Sequence, residues 1–147
     1  KTEYIVLFEK IISGNLLLAI IIRADYQKEG IEFFTNDNDS QQLGYMNRPE
    51  GYVIAPHRHT LVAREVHLTQ EVLLIRSGKV RVDFYDNEQN YIKSAILEKG
   101  DVILLSDGGH GFKMLEKSEM IEVKQGPYCG DVDKVRFTPV DENDLIL

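Results

Sequence analysis

Three histidines and a glutamate stand in this chain at spacings that would aim them at apolar faces. In Gly51-Tyr-Val-Ile-Ala-Pro-His57-Arg-His59, two imidazoles lie two residues apart at the end of an apolar run. Side chains two apart on an extended strand share a face. Val53, Ala55, His57 and His59 would therefore point one way, and Ile54, Pro56 and Arg58 the other. Glu71 opens Glu71-Val-Leu-Leu-Ile-Arg-Ser-Gly78, where it shares a face with Leu73 and Ile75. His110 follows the turn Ser106-Asp-Gly-Gly109 and shares a face with Phe112 and Met114. Imidazoles and a carboxylate projecting from otherwise apolar faces are what a metal site inside a β-barrel needs.

These residues also carry a family likeness. Gly51, then His57-Arg-His59, then Glu71 followed after six residues by Gly78, resembles the first cupin motif. Gly100-Asp-Val-Ile-Leu-Leu-Ser-Asp-Gly-Gly-His110 resembles the second, in which a glycine leads through a strand and turn to the last ligand. The likeness is to small single-domain metal-binding cupins, without pointing to a subfamily, and it covers roughly Gly51 to Lys124. It implies a jelly-roll β-barrel, mostly antiparallel, in which His57, His59, Glu71 and His110 bind one metal. A carboxylate among Val, Leu and Ile is costly to bury without a partner, and a cation held by the imidazoles would supply one.

His67 is the rival ligand, because His67-Leu-Thr-Gln-Glu71 has the spacing the family shows between its second histidine and its glutamate. On one straight strand His67 and Glu71 would lie roughly 13 Å apart, too far for one ion with bonds near 2 Å. A bulge near Thr69 would rescue that pairing; otherwise His67 sits at the rim of a pocket. Three imidazoles and a carboxylate suit Fe, Mn, Ni, Zn or Co, and ligand type does not choose among them. Four protein ligands on an octahedral ion leave two positions for water or substrate, as a catalytic site requires. His67, Tyr45 and Arg64 are the candidate catalytic residues, and Gln42 could help shape the pocket.

The rest of the chain must position these groups. At 147 residues it is read as one domain with a sizeable core. A net charge of −7 argues against a nucleic-acid partner, which a basic surface would serve. Cys129 is the single cysteine, which excludes an internal disulfide and fits a reducing compartment. The apolar run Leu16 to Ile22 is far shorter than the roughly twenty residues of a membrane span, and Lys1-Thr2-Glu3 is unlike a secretory signal. A cytoplasmic protein without a membrane partner is expected.

Tyr4 to Ile12 and Leu16 to Arg23, separated by Ser13-Gly14-Asn15, read as a β-hairpin within an N-terminal segment of about residues 4–23. A helix over Tyr4 to Ile12 is the competing reading. Shorter strands follow at Ile31–Thr35 and Gln41–Asn47, and Thr60 to Gln70 reads as an insertion after the histidine pair. Further strands are expected at Glu71–Ser77, Lys79–Tyr85, Tyr91–Leu97, Asp101–Leu105, His110–Leu115 and Met120–Gln125. Such short, even spacing indicates an all-β, antiparallel sandwich or barrel, which the cupin likeness narrows to a jelly roll. On Lys79–Tyr85, Val80, Val82 and Phe84 share one face, and the opposite face of Arg81, Asp83 and Tyr85 reads as solvated. The tail over about residues 126–147 is turn-rich and acidic, and should pack on the surface or on a second subunit.

Cupins span isomerases, epimerases, dioxygenases, sugar-binding regulators and storage proteins, so the likeness leaves activity open. The expectation is an enzyme that uses its metal on a small polar substrate, a sugar or keto acid. The alternative is a non-catalytic module that binds a small ligand. The likeness also implies a homodimer, and the apolar N-terminal hairpin could cover a partner's sheet edge.

Overall fold

A computed structural model describes residues 7–147. Among the described residues the fold is all-β, with antiparallel strands and one single-turn 3-10 helix at Glu142–Asp144. In chain order the strands are β1 (Phe8–Ser13), β2 (Leu16–Ile22), β3 (Gly30–Phe33), β4 (Gly44–Asn47), β5 (Glu71–Ser77), β6 (Lys79–Tyr85), β7 (Tyr91–Glu98), β8 (Val102–Leu105), β9 (Gly109–Met114) and β10 (Glu119–Lys124). They fall into two compact units. One comprises the described part of Lys1–Tyr26 together with Thr69–Leu147, and the other is Gln27–Leu68.

The first unit holds a five-stranded sheet in the order β1-β2-β8-β5-β10 and a three-stranded sheet in the order β7-β6-β9. β1 and β2 form the expected N-terminal hairpin, with Ser13 paired to Leu16 across a two-residue turn rather than three. Residues 4–6 of the expected first strand lie outside the described residues. One face of each sheet supplies the core. Ile11, Leu18, Ala19, Ile21, Leu73, Ile75, Ile103 and Leu105 from the larger sheet pack in one cluster with Val80, Val82, Phe84, Ala95 and Leu97 from the smaller. The period-two alternation of β5 and β6 puts these apolar side chains inward because successive strand residues point to opposite faces.

Two local devices fix this arrangement. Gly78 turns the chain from one sheet to the other with φ +86°, and a Cβ there would lie 2.3 Å from the Lys117 carbonyl oxygen. Only glycine takes both the backbone angle and the close approach. Asp101, 5% exposed, accepts hydrogen bonds from the backbone N–H groups of Ala24 and Glu98, at 2.8 Å each. It also accepts one from Arg23, which reaches on to Glu9. Asp101 within the second motif thus ties a turn to β2 and has a structural role.

The second face of β6 departs from its expected solvation. Arg81, Asp83 and Tyr85 are 6%, 4% and 3% exposed. The segment after β10 returns across the three-stranded sheet and covers them. Phe137 packs edge-on against Tyr85, whose hydroxyl accepts from the Val140 N–H. Glu142 binds the Arg81 guanidinium, and Ile146 exchanges backbone and hydroxyl hydrogen bonds with Ser94 and Tyr91. Alternation decides which residues share a face but not whether the chain later covers it.

The second unit, described by itself, contains the β3–β4 hairpin, with Gly30 opposite Asn47 and Phe33 opposite Gly44. Gln42, a pocket candidate, instead clamps the loop before it through Thr35, Asn36 and Asp39. Beyond β4 the chain from residue 48 to 68 has no regular structure. The run Gly51–His59, read as strand from its alternation, makes no ladder. An extended backbone becomes a strand only when a neighbour takes its N–H and C=O groups. Gly51 at φ +83° turns the chain away from β4, and Pro56 lacks an N–H.

Candidate functional site

The sequence-selected groups separate between the two units. In the first unit Glu71 and His110 come together, with Nε2 to Oε2 at 3.6 Å. Glu71 begins β5 and lies opposite Leu105 of β8 and Lys124 of β10. It shares the inward face of Leu73 and Ile75, so its side chain is only 13% exposed. His110 comes from the other sheet, on β9 opposite Phe84, with its ring 5.5 Å from that of Phe112. Its side chain is 29% exposed, which leaves the pair open to solvent on one side.

The electrostatics of the pair follow from this placement. Polar contact with His110 holds the Glu71 carboxyl below the ordinary carboxylate value. Burial pulls the other way, and the His110 charge, Glu122 and Lys124 add to the lowering. Glu71 is thus kept as a carboxylate beside an imidazole, able to accept a proton or bind a cation.

A polar cluster lies where β5 begins and β8 and β10 end. Gln70, 8% exposed, donates through Nε2 to the Ser106 carbonyl oxygen and hydroxyl, at 3.2 and 3.3 Å. The Gln70 backbone N–H donates to Gln125 Oε1 at 2.6 Å. Gln125 Nε2 is buried with no hydrogen-bond partner among the described residues. An amide donor left in that state is unfavourable, so this atom marks a place for a water or a ligand acceptor. The sequence reading did not select Gln70 or Gln125. Adjacency to Glu71 was a signal for the first, but Gln125 is 55 residues from its partner and no local pattern points to it.

The second unit holds the other candidates. His57 and His59 are exposed, with ring centroids 5.5 Å apart, and His57 Nδ1 lies 2.9 Å from the Ala55 carbonyl oxygen. His67 is 85% exposed and 3.5 Å from Glu65, while Arg64 is exposed. Tyr45 is half-buried on β4 opposite Glu32. An open depression of about 800 Å³ is lined by Gln27, Lys28, Glu29, Gly30, Asn47, Arg48 and Pro49. Arg48 lies over the Tyr52 ring at 4.5 Å.

The fit of a metal to the first unit can be tested on its geometry. Nε2 of His110 and Oε2 of Glu71, 3.6 Å apart, are near the roughly 3.4 Å that two ligands of a tetrahedral ion would span. Glu71 and His110 would thus be two donors for one ion. Among the described residues no group of three or more His, Cys, Asp or Glu side chains is gathered for a metal. No protein-family model, curated protein or solved structure matches this chain. Among the described residues, no helix is long and apolar enough to cross a membrane.

Proposed function

We propose that this is a cupin-like, jelly-roll metal-binding protein acting on a small polar molecule at the Glu71–His110 end of its paired sheets. The observation that carries the reading is the convergence of an inward-facing carboxylate and an imidazole from opposite sheets, 3.6 Å apart. They are two members of the ligand set His57, His59, Glu71 and His110 that the cupin likeness implies. The ion would be one divalent transition metal, Fe, Mn, Ni, Zn or Co, and would polarise an oxygen of a sugar or keto acid. Glu71, kept ionised, holds a cation or takes a proton, and His110 passes protons to the open side. The reaction class is isomerase, epimerase or dioxygenase. The exposed single cysteine, Cys129, fits a cytoplasmic setting.

A second reading, a non-catalytic module binding a small ligand, is favoured by the polar contact that Glu71 and His110 make with each other.

The test is the metal content of tag-free protein by mass spectrometry, with His110→Ala, Glu71→Gln and His57→Ala beside the wild type. About one metal per chain, lost in His110→Ala and Glu71→Gln, is expected. Loss in His57→Ala as well assigns the full four-ligand set. Wild type that is metal-free and cannot be reloaded at neutral pH refutes the metal reading. Oxygen uptake or sugar isomerisation by loaded protein separates the enzyme from the module, which binds saturably without product.

A further inference from the structure

Among the described residues, strand β10 has a partner on one side only. It is the last strand of the five-stranded sheet, paired to β5 with Lys124 opposite Glu71 and Ile121 opposite Leu74. Its other edge presents backbone N–H and C=O groups without a ladder, which is a template for another strand. The sheet face beside that edge is apolar and uncovered. Leu74, Ile121 and Val123 are 36%, 45% and 57% exposed, and Val72 lies opposite Val123. The opposite face of β10 carries Glu122 and Lys124, which act on Glu71.

We infer that β10 pairs antiparallel with β10 of a second copy of this chain, centred on Val123, making one continuous ten-stranded sheet. The inference is independent of the metal reading and differs from pairing through the N-terminal hairpin. Two considerations select the occupant and the register. In a two-fold antiparallel pair, opposed residues share a face, so each residue meets one an even number of positions away. Centring on Glu122 sets two glutamates directly opposite, and centring on Ile121 sets Glu122 against Met120 with no counter-charge facing it. Centring on Val123 sets Glu122 opposite Lys124 twice, once in each direction, and puts Val123 against its own copy on the apolar face. The strand is thus self-complementary in charge in this register. Opposite charges facing each other stabilise a strand pair, and like charges destabilise it.

The pairing ladder is short, so self-association should be reversible and concentration-dependent. Sedimentation velocity from about 1 to about 200 μM spans the range in which such a contact is visible. The wild type is expected to shift from monomer to dimer as concentration rises. Lys124→Glu turns both attractive pairs into repulsive ones and should raise the dimer dissociation constant roughly tenfold or more. The double variant Glu122→Lys with Lys124→Glu exchanges the charges and should restore dimerisation to within about threefold of wild type. In a Cys129→Ser background, Val123→Cys should cross-link to dimer under mild oxidation, because the central pair brings the Cβ atoms close together. A wild type that stays monomeric throughout would overturn the inference. So would a dimer indifferent to Lys124→Glu, or one whose Val123→Cys variant does not cross-link.

Discussion

Asp83→Ala is the sharpest probe of how the three-stranded sheet is held. Arg81 and Asp83 are 7% and 6% exposed at their side chains, and their contact is bidentate, at 2.9 and 3.0 Å. The same guanidinium meets Glu142 at 2.6 and 3.1 Å, and Asp83 also accepts from the Ser94 hydroxyl. Removing Asp83 leaves a buried cation with only the exposed Glu142 as counter-charge and takes from the Ser94 hydroxyl its carboxylate acceptor, leaving it the Tyr91 hydroxyl. Breaking a buried pair costs about 3–5 kcal/mol. Because Glu142 keeps two contacts on Arg81, the low end, about 3 kcal/mol, applies here. For a chain of this length that loss lowers Tm by about 6–12 °C. Urea unfolding with an unchanged m value, beside calorimetry, reads both quantities. The double variant Arg81→Met with Asp83→Leu removes both charges and should recover most of the loss, since packed apolar groups replace a buried pair at little cost. A single variant within about 0.5 kcal/mol of wild type, or a double variant as unstable as the single, would refute the reasoning.

Two predictions concern pH. The Glu71 carboxyl titrates below its reference value of 4.5, and its contribution to stability is present above that value and lost as pH falls through the depressed folded one. In His110→Ala the main cause of lowering is gone while burial remains, so the Glu71 carbon resonance followed by NMR should titrate at higher pH; an unchanged midpoint refutes the pairing. Arg81, and after it Lys113, pulls the Glu142 carboxyl down to about 2. Its hold on the C-terminal segment is therefore complete above about 4.5 and weakens as pH falls through about 2. Amide exchange at residues 137–147 should rise over that acid range before exchange in β6 does, and simultaneous loss of both would contradict it.

The all-β class, the spans of β5 through β10 and the shared face of Glu71 with Leu73 and Ile75 were legible in the sequence, because strand alternation and glycine turns are local signals. The same alternation misled at Gly51–His59, since it cannot say whether a neighbouring strand exists. It also left Arg81, Asp83 and Tyr85 on a face that reads as solvated. Their cover comes from Glu142, 61 residues further on, and no local pattern reports a contact at that separation.

What the sequence determined by itself is therefore periodicity: which residues can lie on a strand, and which of them share a face. Only the tertiary structure decided what those faces meet. Glu71 and His110 are neighbours because two sheets oppose their inner faces, and Gln125 closes on Gln70 because β10 joins β5. Arg81 is buried because the chain's end returns over β6. Each outcome depends on strand order and register, which arise from contacts distant along the chain, whereas the repeat within one strand depends only on backbone geometry.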